Sequence, residues 1–311
     1  MDGKILINSN TKWAKEDEYI KYKKELSERT ILLGINGTIG NVAIFNSEKC
    51  IFVKSACYIN VDEKFDRNFI KYDLLNNDFQ NYIKTNATGC VIKTVGLKLL
   101  RDYEVVLPSD IETQSCIDSI LTSLVVKITL HLFVNQTLEQ MAQALFNHYF
   151  VDNIDPDNLP EKWRQKSINE VISVKDRTHD SPKPREFGHH LITSKHIKGS
   201  NIDFSQAYFV SEKDYVDINR RSKVDTFDIL LTMIGTVVVI HLVIENPVNF
   251  AIKNIGLFKS SERTDLFEFI YLYLGSNKIK DYLQVRTTGS TQQYLTLQTL
   301  RNIPIIIPND S

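Results

Sequence analysis

The feature that most limits what this chain can fold into is an internal repeat. Ala87 to Asp110, ATGCVIKTVGLKLLRDYEVVLPSD, lies without gaps on Thr287 to Asp310, TTGSTQQYLTLQTLRNIPIIIPND, at a constant offset of 200 residues. Thr88, Gly89, Leu97, Leu100, Arg101, Pro108 and Asp110 recur as Thr288, Gly289, Leu297, Leu300, Arg301, Pro308 and Asp310. Upstream, ILLGINGTIGNVAI from Ile31 lies on ILLTMIGTVVVIHL from Ile229, and EDEYIKYKK from Glu16 resembles EKDYVDINR from Glu212. The offsets there are 198 and 196, so small insertions separate the copies. A repeat this long implies two domains of one design, each with its own core.

Each copy reads as mixed α and β. A β-branched run leads to a Gly-Thr turn, Gly37-Thr38 and Gly235-Thr236, where glycine supplies a positive φ. Extended apolar segments follow, then a short helix, Arg67 to Thr85 or Thr264 to Gln284. An apolar strand stopped by proline closes each copy, Tyr103 to Pro108 and Ile303 to Pro308.

Between the copies the pattern changes. From Ser109 to Asp155 there is neither glycine nor proline, and Ser109 with Glu112 reads as a capping box that starts a helix. Ile117, Leu121, Leu124, Ile128, His131, Asn135, Leu138, Ala142, Leu145 and Tyr149 recur at alternating spacings of four and three, the seam of a coiled coil. About forty residues of helix make a rod of roughly 60 Å. His131 and Asn135 on the seam would set register against another helix. A lone heptad helix leaves its stripe exposed, so the partner must come from another molecule. The expected architecture is α+β: a first domain over 1–108, a long spacer helix over 109–151 and a second domain over 152–311.

Net charge narrows the function. At -1 formal charge over 311 residues, a protein basic over its whole surface is excluded, and any nucleic-acid contact must be local. The four cysteines, Cys50, Cys57, Cys90 and Cys116, lack C-x-x-C spacing and read as reduced thiols. The N-terminus lacks a signal-peptide layout, and no apolar run approaches the ~18 residues of a membrane helix. The expected location is the cytoplasm.

The order of these motifs resembles the specificity subunits of type I restriction-modification systems. The GTIG turn at Gly37, the TG near the end of each copy, Leu107-Pro108, the helix start and LEQMAQALFNHYF (Leu138 to Phe150) carry the likeness. LPEKWRQKSINEVISVKDRTHDSPKP (Leu159 to Pro184) is similar to the opening of a recognition domain. On that resemblance each domain reads one part of a two-part DNA target, and helix length sets the gap between the parts. The subunit itself would be non-catalytic and, by the family pattern, truncated at both ends here. The implied partners are double-stranded DNA, DNA methyltransferase (modification) subunits, a restriction/translocase subunit, and a second copy of the chain on the helix. S-adenosylmethionine, ATP and Mg enter only through partner subunits, with no cofactor of the chain's own.

Donors for phosphates and base edges concentrate in the second domain at Lys175, Arg177, Thr178, His179, Lys183 and Arg185, then at Thr193, Ser194, Lys195 and His196. In the first domain Lys12, Lys15, Lys21, Lys23 and Lys24 are lesser candidates, since a charge run is commonly a wet helix face. Catalytic readings fail on spacing. Asn246-Pro247-Val248-Asn249 lacks the second proline of an adenine-methylase motif, and Gly34, Gly37 and Gly40 lack the Gly-Lys-Ser/Thr end of a phosphate loop. His189-His190 lies in a loop-like stretch without ligands at metal spacing. The reading from another class is a coiled-coil adaptor whose domains bind protein, with an inactive truncated specificity cassette as a further alternative; a third reading is a solitary enzyme with an unrecognised site. Salt separates DNA reader from adaptor, because phosphate-driven binding weakens steeply with ionic strength.

Overall fold

In the computed structural model of the chain, all residues are described except 1, 2, 4, 6, 9, 10, 53, 54, 90, 91, 177–181, 236, 237, 289–292 and 309–311. The chain divides into two compact units, Met1–Phe133 and Val134–Ser311. Mixed α and β content, two similar domains and one long helix between them in sequence form the architecture.

In the first unit, helix α1 (Glu16–Tyr22) precedes strands β1 (Thr30–Gly34), β2 (Val42–Ile44) and β3 (Ala56–Asn60). They form one antiparallel sheet, β2-β1-β3, in which Ile31 pairs with Ile44 and Ile59, and Leu33 with Val42 and Cys57. Ile31 and Leu33 are fully buried against Phe79, Ile83 and Val95. Helices α2 (Arg67–Leu75), α3 (Asn77–Thr85) and α4 (Leu97–Arg101) supply the other layer. The single helix expected over 67–85 is two. Asn76 adopts an extended backbone and accepts the Phe79 N–H on its side chain at 2.8 Å, which ends one helix and caps the next.

Helix α5 (Ile111–Asn147) runs for 37 residues and closes in a π-helical turn, His148–Asp152. Its cap is Asp110, which accepts the Thr113 N–H at 2.6 Å, in place of the expected Ser109. The short carboxylate reaches the free amides of the first turn directly. Hydrogen bonding to Thr113 holds the Asp110 carboxyl below its ordinary pKa. Gln114, fully buried, accepts the Asp66 N–H and donates to the Pro108 carbonyl. Ser115, Asp118 and Thr122 then bond Asp66, Asn68 and Tyr72, so three successive positions of one helical face dock on α2.

The second unit rebuilds this plan with more strands. β4 (Trp163–Ser167), β5 (Val174–Lys175), β6 (His189–Thr193), β7 (Ile197–Lys198), β8 (Asn201–Ile202) and β9 (Phe209–Val210) lead to α6 (Glu212–Ser222). Then come β10 (Ile229–Thr232), β11 (Ile240–Leu242), β12 (Phe250–Lys253) and β13 (Ile255–Phe258). Helices α7 (Phe267–Gly275), α8 (Asn277–Gln284) and α9 (Leu297–Arg301) precede the last strand, β14 (Pro304–Pro308). Within the sheet β11-β10-β13-β5, Ile229 pairs with Leu242 and Phe258, the places Ile44 and Ile59 hold beside Ile31. Ser276 divides α7 from α8 as Asn76 divides α2 from α3. The α7–α8 pair therefore begins at Phe267, later than the expected Thr264.

Two further expectations change. Residues 103–108 are irregular while β14 pairs antiparallel with β4, Trp163 opposite Pro308. Among the described residues the first unit holds no strand that plays β4's part, and an unpaired strand cannot satisfy its backbone. By length and composition, α5 and its closing turn could cross a membrane, against the expectation that no run is apolar enough. Lys127, His131, Asn135, Glu139 and Gln140 interrupt its apolar surface, which is how the sequence pattern hid its overall hydropathy.

Candidate nucleic-acid interface

Each unit carries the same set of backbone bonds between its Gly-Thr turn and a later loop. In the first unit Thr88 and Thr94 exchange backbone hydrogen bonds at 2.9 and 2.7 Å and close the loop between them. The Gly37 N–H donates to the Lys93 carbonyl at 3.3 Å, and the Val95 N–H to Ile35 at 2.8 Å, so the Gly-Thr turn and the loop are stitched together. In the second unit Thr288 and Tyr294 exchange bonds at 3.0 and 2.9 Å, Gly235 donates to Gln293 at 3.2 Å and Leu295 to Met233 at 2.8 Å. The turn glycines take φ of 76° and 127°, a region that other side chains avoid, which is what the sequence pattern required of them.

The donor residues expected from sequence fall in several places. Lys175 lies in β5, half-buried, and not in a loop. Arg177, Thr178 and His179 lie outside the described residues. Lys183 and Arg185 are exposed, and the Arg185 N–H donates to Phe209 at 2.9 Å. Arg185 opens with Phe187, His189, Ser211 and Glu212 onto a hollow of about 710 Å3. His189 and His190, expected in a loop, sit in β6; His189 stacks on Tyr215 at 3.8 Å and meets Glu212 at 2.7 Å. The β6 register with β12 and β9 turns that polar-looking stretch into strand.

Thr193, Ser194 and Lys195 line a second hollow of about 400 Å3 with Tyr208, Ile234, Lys253 and Asn254. Ile234 belongs to the Gly235 turn, so this hollow borders the paired loops of the second unit. His196 does not face it: the ring is buried, its Nδ1 accepts the Thr193 N–H at 3.0 Å, and burial lowers its pKa. A side chain held in the core as a backbone acceptor cannot also reach a phosphate, so His196 leaves the set of contacts. Tyr208 is pushed up by burial. Lys253, Asn254, Lys84, Lys93 and Gln293 were missed by sequence reasoning. The available signal was that Lys93 and Gln293 lie between the matched Thr88-Gly89 and Leu97 of one copy and Thr288-Gly289 and Leu297 of the other.

On α5 the expected seam is exposed from Leu124 onward, through Ile128, His131, Asn135, Leu138 and Leu145; Ile117 and Leu121 are half-buried. The helix's own units hold other residues. Phe146 joins the second unit's core against Phe269, and Gln143 donates to the Leu272 carbonyl at 3.0 Å. The seam is therefore open for a partner. Cys50, Cys57 and Cys116 are free thiols, and Cys90 lies outside the described residues. Among the described residues no three His, Cys, Asp or Glu side chains gather as metal ligands.

Two units of similar mixed α and β design, each carrying the same pattern of backbone bonds between its Gly-Thr turn and a later loop, are joined in sequence by a helix with an exposed seam. The chain belongs to the family of type I restriction modification DNA specificity domains, whose model matches residues 4–140 and 160–311. It is 22% identical over 306 residues to the type I restriction enzyme EcoBI specificity subunit of Escherichia coli, covering 90% of this chain and 63% of that protein. The chain thus spans under two thirds of that relative's length. Among solved structures, the S subunit of a type I restriction-modification system from M. genitalium aligns at 17% identity and TM-score 0.48, over 92% of this chain and 73% of that one. The HsdS subunit from Thermoanaerobacter tengcongensis aligns at 13% identity and TM-score 0.34, over 91% and 70%.

Proposed function

We propose that the chain is the non-catalytic DNA-reading subunit of a type I restriction-modification complex. Residues 1–108 and 152–311 each read one part of a bipartite target, and the helix between them, 109–151, sets the gap. The observation that carries this is the loop pair built twice, at matching positions of two family-matched domains. A spacer of fixed length turns the separation of two half-sites into geometry, because each residue added to a helix advances and rotates the chain beyond it. Arg185, Lys183 and Lys195 supply phosphate and base contacts, and the Thr193–Ser194 hydroxyls lie beside Lys195. The exposed seam binds the helices of methyltransferase subunits or of a second copy, a use the heptad polar residues favour over lipid, since His131 and Asn135 would be costly in a bilayer. The chain holds no cofactor of its own; S-adenosylmethionine, ATP and Mg belong to the methyltransferase and restriction/translocase subunits it would assemble with, in the cytoplasm.

The test is retention of a random duplex library by the chain, alone and with its methyltransferase subunits, at two salt concentrations, followed by sequencing. A split motif with a fixed gap, weakened by salt, is expected. Salt-insensitive assembly without sequence enrichment would replace this reading with that of a protein-binding adaptor.

A further inference from the structure

We propose that the hollow at the paired ends of β6 and β12 is a phosphodiester site, in which Lys195 and Lys253 together hold one backbone phosphate of the duplex. This rests on the reading of the chain as a DNA-specificity subunit and deepens it: Lys195 fixes register and does not read a base, and Lys253, which the sequence did not single out, shares the contact. The hollow holds about 400 Å3, and every described residue along it except Ile234 carries a polar side chain. Among the described residues no carboxylate lines it. The larger hollow at Arg185 differs, because Glu186 and Glu212 line it and would repel an anion. Two ammoniums on one hollow call for a full negative charge, which a phosphodiester carries and a base edge does not. The Tyr208 hydroxyl and the Asn254 amide add donors of the kinds that meet phosphate oxygens.

The rim is fixed by contacts between segments far apart in the chain. β6 and β12 run parallel with Thr193 opposite Lys253, which brings the two strand ends level. The Ser194 hydroxyl donates to the Asn254 carbonyl at 2.9 Å and ties the two sides of the rim together. The Thr193 N–H donates to the buried His196 ring at 3.0 Å, which holds the short Ser194–His196 turn that carries Lys195. Asn254, at φ 55°, takes the left-handed backbone that turns the chain from β12 into β13 directly after Lys253. The backbones of Lys195 and Lys253 are therefore set by the sheet before any ligand arrives, and only the lysine stems remain to be ordered. An ammonium acts as a point charge, so two flexible stems can meet one anion without a fixed angle of approach.

The full chain, assembled with its methyltransferase subunits, is bound to its enriched duplex with one neutral methylphosphonate linkage moved along each strand in turn. The parent is compared with Lys195→Gln, Lys253→Gln and the double variant, each at several salt concentrations. Linkages that weaken the parent mark its phosphate contacts. One of them should be blunted in both single variants alike and silent in the double, while the remaining linkages keep their effect and report an intact fold. The double variant should show a salt slope shallower by about one, with the enriched motif unchanged. Two different linkages blunted by the two variants, an altered base preference, or an unchanged slope in the double each overturn the site. So does displacement of the duplex by inorganic phosphate beyond that by chloride at equal ionic strength, which would give the hollow to a free anion. A parent that enriches no motif at all refutes the DNA-specificity reading itself, and the site with it, before any variant is scored.

Discussion

Lys259 in the second unit is buried with its ammonium 2.5 Å from Asp228, 2.7 Å from Asp225 and 3.2 Å from the Lys223 carbonyl. The first unit solves the same place without charge. Asn60 ends β3 there, and its side-chain oxygen accepts the Thr30 hydroxyl at 2.7 Å. The backbone around the pair is shared: Thr30 Oγ1 takes the Ser27 N–H at 3.0 Å, as Asp228 takes the Asp225 N–H at 2.7 Å. Lys259→Asn alone strands the fully buried Asp228 without its cation and should cost about 3–5 kcal/mol. Adding Asp228→Thr copies the first unit's pair; the Ser261 N–H, now on Asp228 at 3.2 Å, loses its acceptor, and the Lys223 carbonyl and one oxygen of the part-exposed Asp225 lose the ammonium. The double variant should therefore lie within about 1–2 kcal/mol of the parent. Asp225 keeps Lys223 at 2.6 Å in both variants. The assay is urea unfolding followed by Trp163 fluorescence in a Trp13→Phe background, since the chain has two tryptophans. With a slope of about 2 kcal/mol per molar urea, the single variant should lose about 2 M in midpoint and the double under about 1 M. A single variant within about 0.5 M of the parent, or a double no better than the single, would refute the reasoning.

Three further outcomes are expected. Gly89 has φ 110°, and a Cβ there would collide with the Ile92 carbonyl, so Gly89→Ala should open the first unit's loop. Motif enrichment in one half should vanish while the thermal unfolding of the chain moves little, the loop being exposed; an intact motif contradicts this. His196 and His241 are held neutral, with pKa below 6.5 through burial. Protons then bind the unfolded chain more readily, so the melting temperature should fall as pH drops below about 6.5 and be flat above it; a rise toward acid would reverse the sign. Finally, Leu124→Glu with Ile128→Glu on the exposed seam should abolish binding to methyltransferase subunits or to a second copy, with melting of the chain alone unchanged, as read by light scattering and calorimetry. Retained assembly would remove the seam from the interface.

The repeat, the α+β content and the long helix were legible because each rests on local pattern. Periodicity and the lack of glycine and proline made α5, and the matched Leu297–Arg301 and Leu97–Arg101 fell on helices at corresponding positions. What local pattern could not supply was partnership. Thr193 to His196 reads as four equivalent donors, yet packing buries His196 and turns Lys195 outward. His189-His190 looks like loop until β12 and β9 enclose it as strand. Tyr103 to Pro108 has a strand's composition, but strand is decided by a neighbour, and β14 has β4 while 103–108 has none among the described residues. Asn76 and Ser276 could have been noticed as helix breaks, since both residue types favour caps over helix interiors.

By itself, then, the amino-acid sequence determined that there are two copies of one domain, that a heptad helix separates them in the chain, and that glycine must stand at each Gly-Thr turn. Those properties come from propensity, periodicity and backbone sterics, which act over a few residues. Only the tertiary structure decided that the turn at Gly37 is tied to Lys93, that its counterpart at Gly235 is tied to Gln293, and that Lys195 and Lys253 border the second of these. Hydrogen bonds between segments tens of residues apart depend on how the core brings the strands together, and no local rule encodes that distance.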